Sequence, residues 1–521
     1  MNNTDLILIL DFGSQYTQLI ARRTREFKVY SEIHPYNLDI QKYIKENPGF
    51  NLKGVILSGG PSSVLDKNSP RIKKDDIDYL IGAKIPVLGV CYGLQLLAYY
   101  YGGKIHKSKH REYGHTKISI SSAGKLFKGT PKKLVVWMSH GDSVDFMPKE
   151  FRITSKSANK IISSFENDKL KLYAIQFHSE VNHTEHGEDI LKNFVFSVCR
   201  VTNLFKPKSF IKDTVCEIKD KVGNAKAICA LSGGVDSSVA AVMVDKAIGK
   251  NLICLHIDNG LMRKDESRKI IEMFKKHFHL NVKLIDASEL FLKKLKGVFD
   301  PEKKRKIIGN TFIEVFENEA KKYKNVEYLV QGTLYPDVIE SVSFKGPSAT
   351  IKTHHNVGGL PEKMHLKLIE PFRELFKDEV RIIGKQLGIP KNFIGRHPFP
   401  GPGLAIRVLS DVTKEKLDVL REVDEIYISE LRKSKLYDEI WQAFAVLLPI
   451  QTVGVMGDER SYENVVGLRA VTSKDGMTAD FYHFDKEFMS RVSNKIINSI
   501  KGVNRVVYDI SSKPPATIEW E

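Results

Sequence analysis

Ser232-Gly233-Gly234-Val235-Asp236-Ser237-Ser238 sits between two apolar runs of different character. Ala227-Ile228-Cys229-Ala230-Leu231 before it has the length and composition of a buried strand. Val239-Ala240-Ala241-Val242-Met243-Val244 after it reads as the body of a helix. A strand, a Gly-Gly turn and a helix start aim several backbone N–H groups and the positive end of a helix dipole at one point. Such a point binds phosphate. The glycines let the main chain approach an anion, and the hydroxyls of Ser232, Ser237 and Ser238 donate to its oxygens. Asp236 has no place in a pure anion site unless a cation bridges it to the phosphates, so the loop implies Mg²⁺. It lacks the Gly-Lys-Ser/Thr ending of the common P-loop and the G-x-G-x-x-G spacing of a dinucleotide turn.

Around this loop the pattern is that of an α/β unit. Strands are expected at 227–231, 252–257, 282–286 and 327–331, with helical stretches between them, notably 305–323. Residues 204–213, with Pro207 and mixed polarity, read as a linker before it. The unit ends near His397-Pro398-Phe399-Pro400-Gly401-Pro402-Gly403, which is neither helix nor central strand. That cluster either lines an active site or stiffens an interdomain turn. Upstream, Leu6–Leu10, Gly54–Leu57 and Val87–Val90 read as buried parallel strands, with later strands at Leu134–Met138 and Leu172–Phe177 and a closing helix at Gly187–Cys199. Downstream, a helix around 413–433 gives way to short strand-like runs. The reading is α/β: two doubly wound parallel-sheet domains, 5–203 and 204–396, followed by a small α+β domain, 397–521.

Composition narrows the class. The chain has 521 residues, 42% hydrophobic and 27% charged, as in a soluble globular protein. Leu6–Leu10 is too short for a secretory signal, and no run approaches the roughly 20 apolar residues of a membrane span. Five cysteines with no C-x-x-C pair argue against a disulfide framework, a structural zinc and a redox dithiol, and for a reducing cytoplasm. No zinc and no organic cofactor are expected, and no membrane partner. The net charge of +17 invites a nucleic-acid reading, but the basic residues are scattered and no arm or helix concentrates them. No nucleic-acid partner is expected. The densest run, Lys303-Lys304-Arg305-Lys306, fits a solvated helix face or a phosphate contact.

A second chemistry lies upstream. In Val87-Leu88-Gly89-Val90-Cys91-Tyr92-Gly93 a strand turns sharply into a helix, with Cys91 at the turn between two glycines. This G-x-C-x-G is the thiol counterpart of the serine nucleophile elbow, and the helix start favours the thiolate. Gln176-Phe177-His178-Ser179-Glu180 places a His and a Glu two apart, on one face of an extended segment. Glu180 would orient the ring of His178, which would serve Cys91 as base and acid. Ser58-Gly59-Gly60-Pro61 supplies a turn whose Gly60 N–H would join that of Tyr92 in an oxyanion hole.

The loop at 232–238 resembles that of the N-type ATP pyrophosphatases, which split ATP between its α and β phosphates to adenylate a substrate. Residues 5–203 resemble a class I glutamine amidotransferase. Ser179 stands where that family often has Pro. The order of both, with Gln331–Ser341, Lys352-Thr353-His354-His355-Asn356-Val357-Gly358-Gly359-Leu360-Pro361, the Pro/Gly cluster and Ser512–Glu521, is similar to the GMP synthetase family over essentially the whole chain. The resemblance implies glutamine, ATP and XMP as substrates, with ammonia from glutamine aminating XMP. It implies ATP on Ser232–Ser238 and a lid loop carrying Lys352. It also implies XMP on Lys513 and Glu519, and a homodimer formed by the third domain. A Pro-Pro and a Trp within the last eight residues argue for a docked tail. Basicity also fits a tRNA-adenylating enzyme, but that would need persulfide-carrying cysteines and no glutaminase. NAD synthetase shares the loop but pairs it with a glutaminase of another type, and a non-catalytic module would not keep both sites intact.

Overall fold

The computed structural model describes residues 4–342, 366–456, 459–473, 476 and 478–521. The chain forms two compact units. One runs to Lys206 and takes in the residues from Pro336; the other holds Pro207–Tyr335 and the rest of the chain to Glu521.

The first unit is built on one mixed sheet. Its strands are β1 (Thr4–Asp11), β2 (Tyr30–Pro35), β3 (Phe50–Leu57), β4 (Val87–Val90), β5 (Lys104–Ile120), β6 (Lys133–Phe146), β7 (Arg152–Ser157), β8 (Ile162–Asn167) and β9 (Leu172–Ile175), in the order β2-β1-β3-β4-β9-β8-β7-β5-β6. The five from β2 to β9 are parallel; the remainder continue antiparallel. Parallel strands buried on both faces read as unbroken apolar runs, and Leu6–Leu10 and Val87–Val90 are such runs. The antiparallel extension was not expected beyond β6. Strands β5 and β7 consist mostly of polar residues and carry no continuous apolar run to betray them.

The second unit holds a five-stranded parallel sheet, β10 (Lys226–Ala230), β11 (Leu252–Asp258), β12 (Val282–Asp286), β13 (Val326–Val330) and β14 (Lys367–Ile369), ordered β12-β11-β10-β13-β14. The order reverses at β10, so the loop leaving β10 opens at the switch point where open α/β sheets bind ligands. A second sheet combines the antiparallel pair β15 (Gln442–Met456) and β16 (Glu459–Thr472), short β17 (Asp480–Phe481), and β18 (Val503–Tyr508) parallel to β16. The helix Lys414–Lys433 buries Leu417, Leu420, Val423, Tyr427 and Leu431 at three- and four-residue spacing. They join Phe291, Phe316 and Leu329 in one core shared by both sheets. Each such leucine contributes about 2 kcal/mol by leaving water.

One expectation is corrected. Lys304 is neither a solvated nor a phosphate-facing residue: it is fully buried in the helix Pro301–Ala320. Its Nζ donates to the carbonyls of Ala405 (3.1 Å) and Val408 (2.8 Å) and to the Glu521 carboxylate (2.7 Å). Arg305 donates to the Glu521 carbonyl at 2.6 Å. The basic run anchors the docked tail. Among the described residues no helix is long and apolar enough to cross a membrane.

Candidate active site

Cys91 caps the helix Tyr92–Tyr100 with φ 52° and ψ −102°, a strained conformation for a residue with a side chain. The flanking glycines make the turn possible. A Cβ on Gly89 would lie 2.5 Å from the Gly93 carbonyl carbon, and one on Gly93 would lie 2.4 Å from the Leu57 carbonyl oxygen. Past the ends of β1, β3, β4 and β9, four loops meet. Gly59 lies so close to His178 that a Cβ would come within 3.1 Å of the ring, and a Cβ on Gly60 would come within 2.6 Å of the Phe12 carbonyl oxygen.

His178 and Glu180 are both buried, and His178 Nδ1 bonds Glu180 Oε1 at 2.7 Å. The other ring nitrogen is left for Cys91, whose charge acts on this imidazole. The His178 amide donates to the Trp137 carbonyl at 3.0 Å, and Tyr16 meets the ring edge-on at 4.8 Å. Burial pulls the imidazole toward neutrality, but the charges of Glu180 and Cys91 outweigh it and hold its pKa well above the usual value. Tyr92 is the first residue of its helix, so its N–H has no acceptor inside that helix. Two residues given no role from sequence also stand here. Gln176 Nε2 lies 3.7 Å from Cys91 Sγ, and the Ser139 carbonyl lies 3.6 Å from the same sulfur. Only the motif shared with His178 pointed toward Gln176; nothing linear points to Ser139.

In the second unit Gly233 takes φ 81°, and the helix Val235–Ile248 follows. Ser232 Oγ bonds Ser237 Oγ at 2.9 Å and accepts the Gly234 amide at 3.3 Å, so the hydroxyls face one another across the loop mouth. Gly332 packs on the helix start, where a Cβ would fall 2.9 Å from the Asp236 carbonyl carbon. Asp236 Oδ2 faces Lys377 Nζ at 3.4 Å; its Oδ1 is buried with no hydrogen-bond partner among the described residues. One free carboxylate oxygen at an anion site suits a cation held mainly by the anion itself. Among the described residues no group of three or more His, Cys, Asp or Glu could hold a metal.

Lys352 lies outside the described residues. Lys513 Nζ donates to the Gly476 carbonyl at 2.8 Å. Glu519 is gripped by Arg407 (Nη2 at 2.8 Å, Nε at 3.2 Å) and by Gln442 Nε2 at 2.6 Å. Arg407 is fully buried beside the rings of Phe399 and Phe444, and its Nη1 has no acceptor among the described residues. Next to it, the Leu404 amide bonds the Leu261 carbonyl just past β11, the neighbour of β10. Arg407 and Gln442 carried no sequence signal.

Residues 8–198, which hold the elbow and the His-x-Glu, match the family model for glutamine amidotransferase class-I. Residues 206–317 match the NAD synthase model, and 429–520 that of the GMP synthase C terminal domain. Over its full length the chain is 54% identical to the GMP synthase [glutamine-hydrolyzing] of Brachyspira hyodysenteriae, covering 100% of both chains. It is 57% identical to that of Pelodictyon phaeoclathratiforme, covering 99% of both. The chain belongs to the glutamine-hydrolysing GMP synthase family.

Proposed function

We infer that the chain is a carbon–nitrogen ligase that aminates XMP to GMP with nitrogen from glutamine, dividing the work between two sites. Its class is carried by one observation: a thiol elbow with a paired His–Glu in the first unit, and a pyrophosphate loop at the switch point of the second.

At the first site Cys91 Sγ attacks the glutamine carboxamide carbon while His178 takes the thiol proton. The N–H groups of Gly60 and Tyr92 receive the oxyanion. His178 then protonates the departing nitrogen, ammonia leaves, and water cleaves the thioester to release glutamate and free the thiol. Glu180 fixes the imidazole in the tautomer this needs and stabilises its cation. At the second site the backbone and hydroxyls of Ser232–Ser238 hold the phosphates of ATP. The O2 oxygen of XMP attacks the α-phosphorus and pyrophosphate leaves; ammonia adds at C2 and AMP departs. Asp236 would help hold Mg²⁺ at this loop, and the ion would supply charge neutralisation at the transferring phosphorus. Lys352 belongs to a lid over ATP.

The tail residues Lys513 and Glu519 contact XMP. The unsatisfied Arg407 Nη1 beside Glu519 supports an anionic ligand there. The domains are assigned as 5–203 for the amidotransferase, 204–396 for the ATP pyrophosphatase and 397–521 for dimerisation and XMP binding. The protein works in the cytoplasm as a homodimer. Turnover with XMP, ATP, Mg²⁺ and either glutamine or ammonia tests the reading. AMP and pyrophosphate are expected; ADP and orthophosphate would overturn the adenylation.

A further inference from the structure

Cys91 Sγ has three polar neighbours. The Ser139 carbonyl, at 3.6 Å, can only accept, so it bonds the thiol and offers nothing to the thiolate. His178 is the second, with Glu180 behind it. The third is the side-chain amide of Gln176, fully buried, with Nε2 at 3.7 Å.

Which end of that amide faces the sulfur follows from the groups around it. The Asp142 carbonyl is an acceptor only, and the buried Gln95 amide places Nε2 3.1 Å from it. The same Nε2 stands 3.4 Å from Gln176, so the Gln176 atom it meets must be the oxygen. Gln176 therefore turns its NH₂ toward Cys91. Its backbone is pinned as well, with the amide donating to the Ser163 carbonyl at 2.9 Å. A carbonyl that cannot move sets Gln95, Gln95 sets Gln176, and Gln176 presents an N–H to the nucleophile.

We propose that Gln176 is a further catalytic residue of glutamine hydrolysis, whose N–H donates to Cys91 Sγ and stabilises it as the attacking thiolate. An N–H to a charged sulfur is stronger than one to a neutral thiol, so the contact favours the ionised form. It also offers the sulfur a partner that remains when His178 turns to protonate the leaving nitrogen. The only titratable side chain facing the sulfur directly, among the described residues, is His178; the carboxylate of Asp142 is engaged by Ser63 Oγ. The inference rests on Cys91 being the nucleophile.

The test compares Gln176→Met, which keeps length without a donor, and Gln176→Glu, which sets a carboxylate against the sulfur, with the parent enzyme. Cys91 alkylation by iodoacetamide is followed by mass spectrometry from about pH 5 to about pH 10, alongside glutaminase kcat and KM and thermal melting. In the Met variant the pH of half-maximal alkylation should rise by about one unit, and further in the Glu variant. The kcat should fall about tenfold, with the KM for glutamine within about threefold. An unchanged alkylation midpoint in folded Gln176→Met overturns the proposal whatever happens to kcat. Should that variant not fold, Gln95→Met decides. It removes the group that orients Gln176 and should move the midpoint the same way; no movement overturns the proposal. Parent enzyme that keeps glutamine-dependent turnover after complete alkylation of Cys91 would instead remove Cys91 as nucleophile.

Discussion

At Cys91 the backbone is part of the chemistry. A φ of 52° on a non-glycine residue costs on the order of 1–3 kcal/mol, and the turn is kept because Gly89 and Gly93 leave room for it. That local crowding is why the elbow was legible: G-x-C-x-G is the sequence such a turn requires. Gln176 and Ser139 were not legible as partners, because their approach to the sulfur depends on the pairing of strands far apart in the chain. Replacing Cys91 with Ala should abolish glutamine-dependent GMP formation and leave ammonia-dependent formation nearly intact, measured as GMP produced from each nitrogen source. The His178–Glu180 pair has a pH signature. Because the folded pKa of His178 is raised, the pair's stabilisation is fully present below about pH 6.5 and fades as pH climbs through the raised value. Glu180→Gln should therefore lower Tm most near about pH 6, with the gap to the parent closing as the solution becomes alkaline. A gap that widened with pH would contradict the pairing.

Elements are less legible than residues where a segment's surroundings decide its role. The basic run at 303–306 looked solvent-facing by composition, yet Lys304 is buried because the tail brings it the Glu521 carboxylate. Tail docking itself was foreseeable from Pro514, Pro515 and Trp520; the partners of Glu519 were not. Since Arg407 is buried and paired with Glu519, Glu519→Ala should leave a guanidinium uncompensated, costing about 3–5 kcal/mol and lowering Tm as well as XMP affinity. Lys513→Ala removes, among its contacts, the bond to the Gly476 carbonyl, which is worth about 1 kcal/mol. If it nevertheless raises the KM for XMP at unchanged Tm and oligomeric state, the tail acts on the ligand and not only on the fold. The segment before it carries an acid sensor. Burial holds His397 neutral, its pKa lowered to about 4, stacked 3.8 Å from Tyr437 and accepting the Ala443 amide. Between about pH 6.5 and about pH 4 the unfolded chain binds a proton that the folded one refuses, so stability drops as pH falls. The full loss is on the order of 3 kcal/mol. His397→Gln should flatten that slope in a pH series of melting curves.

At the scale of the whole molecule, the parallel sheets were readable because strands buried on both faces leave unbroken apolar runs. The polar-rich antiparallel strands β5, β7 and β8 leave none. What the two units share is a division of labour that one ratio can expose. Asp236 supplies the free carboxylate oxygen at the pyrophosphate loop, and Asn in its place keeps the shape but loses the charge expected to hold Mg²⁺. Asp236→Asn should depress GMP formation from glutamine and from ammonia by the same factor, about 100-fold or more, leaving their ratio unchanged. Cys91→Ala should send that ratio toward zero while the ammonia rate stands. Chelating Mg²⁺ from the parent enzyme should mimic Asp236→Asn and not Cys91→Ala, with both nitrogen sources failing together. If Asp236→Asn spared amination from ammonia while blocking it from glutamine, the carboxylate would be acting on nitrogen supply, and the assignment of adenylation to this loop would fall.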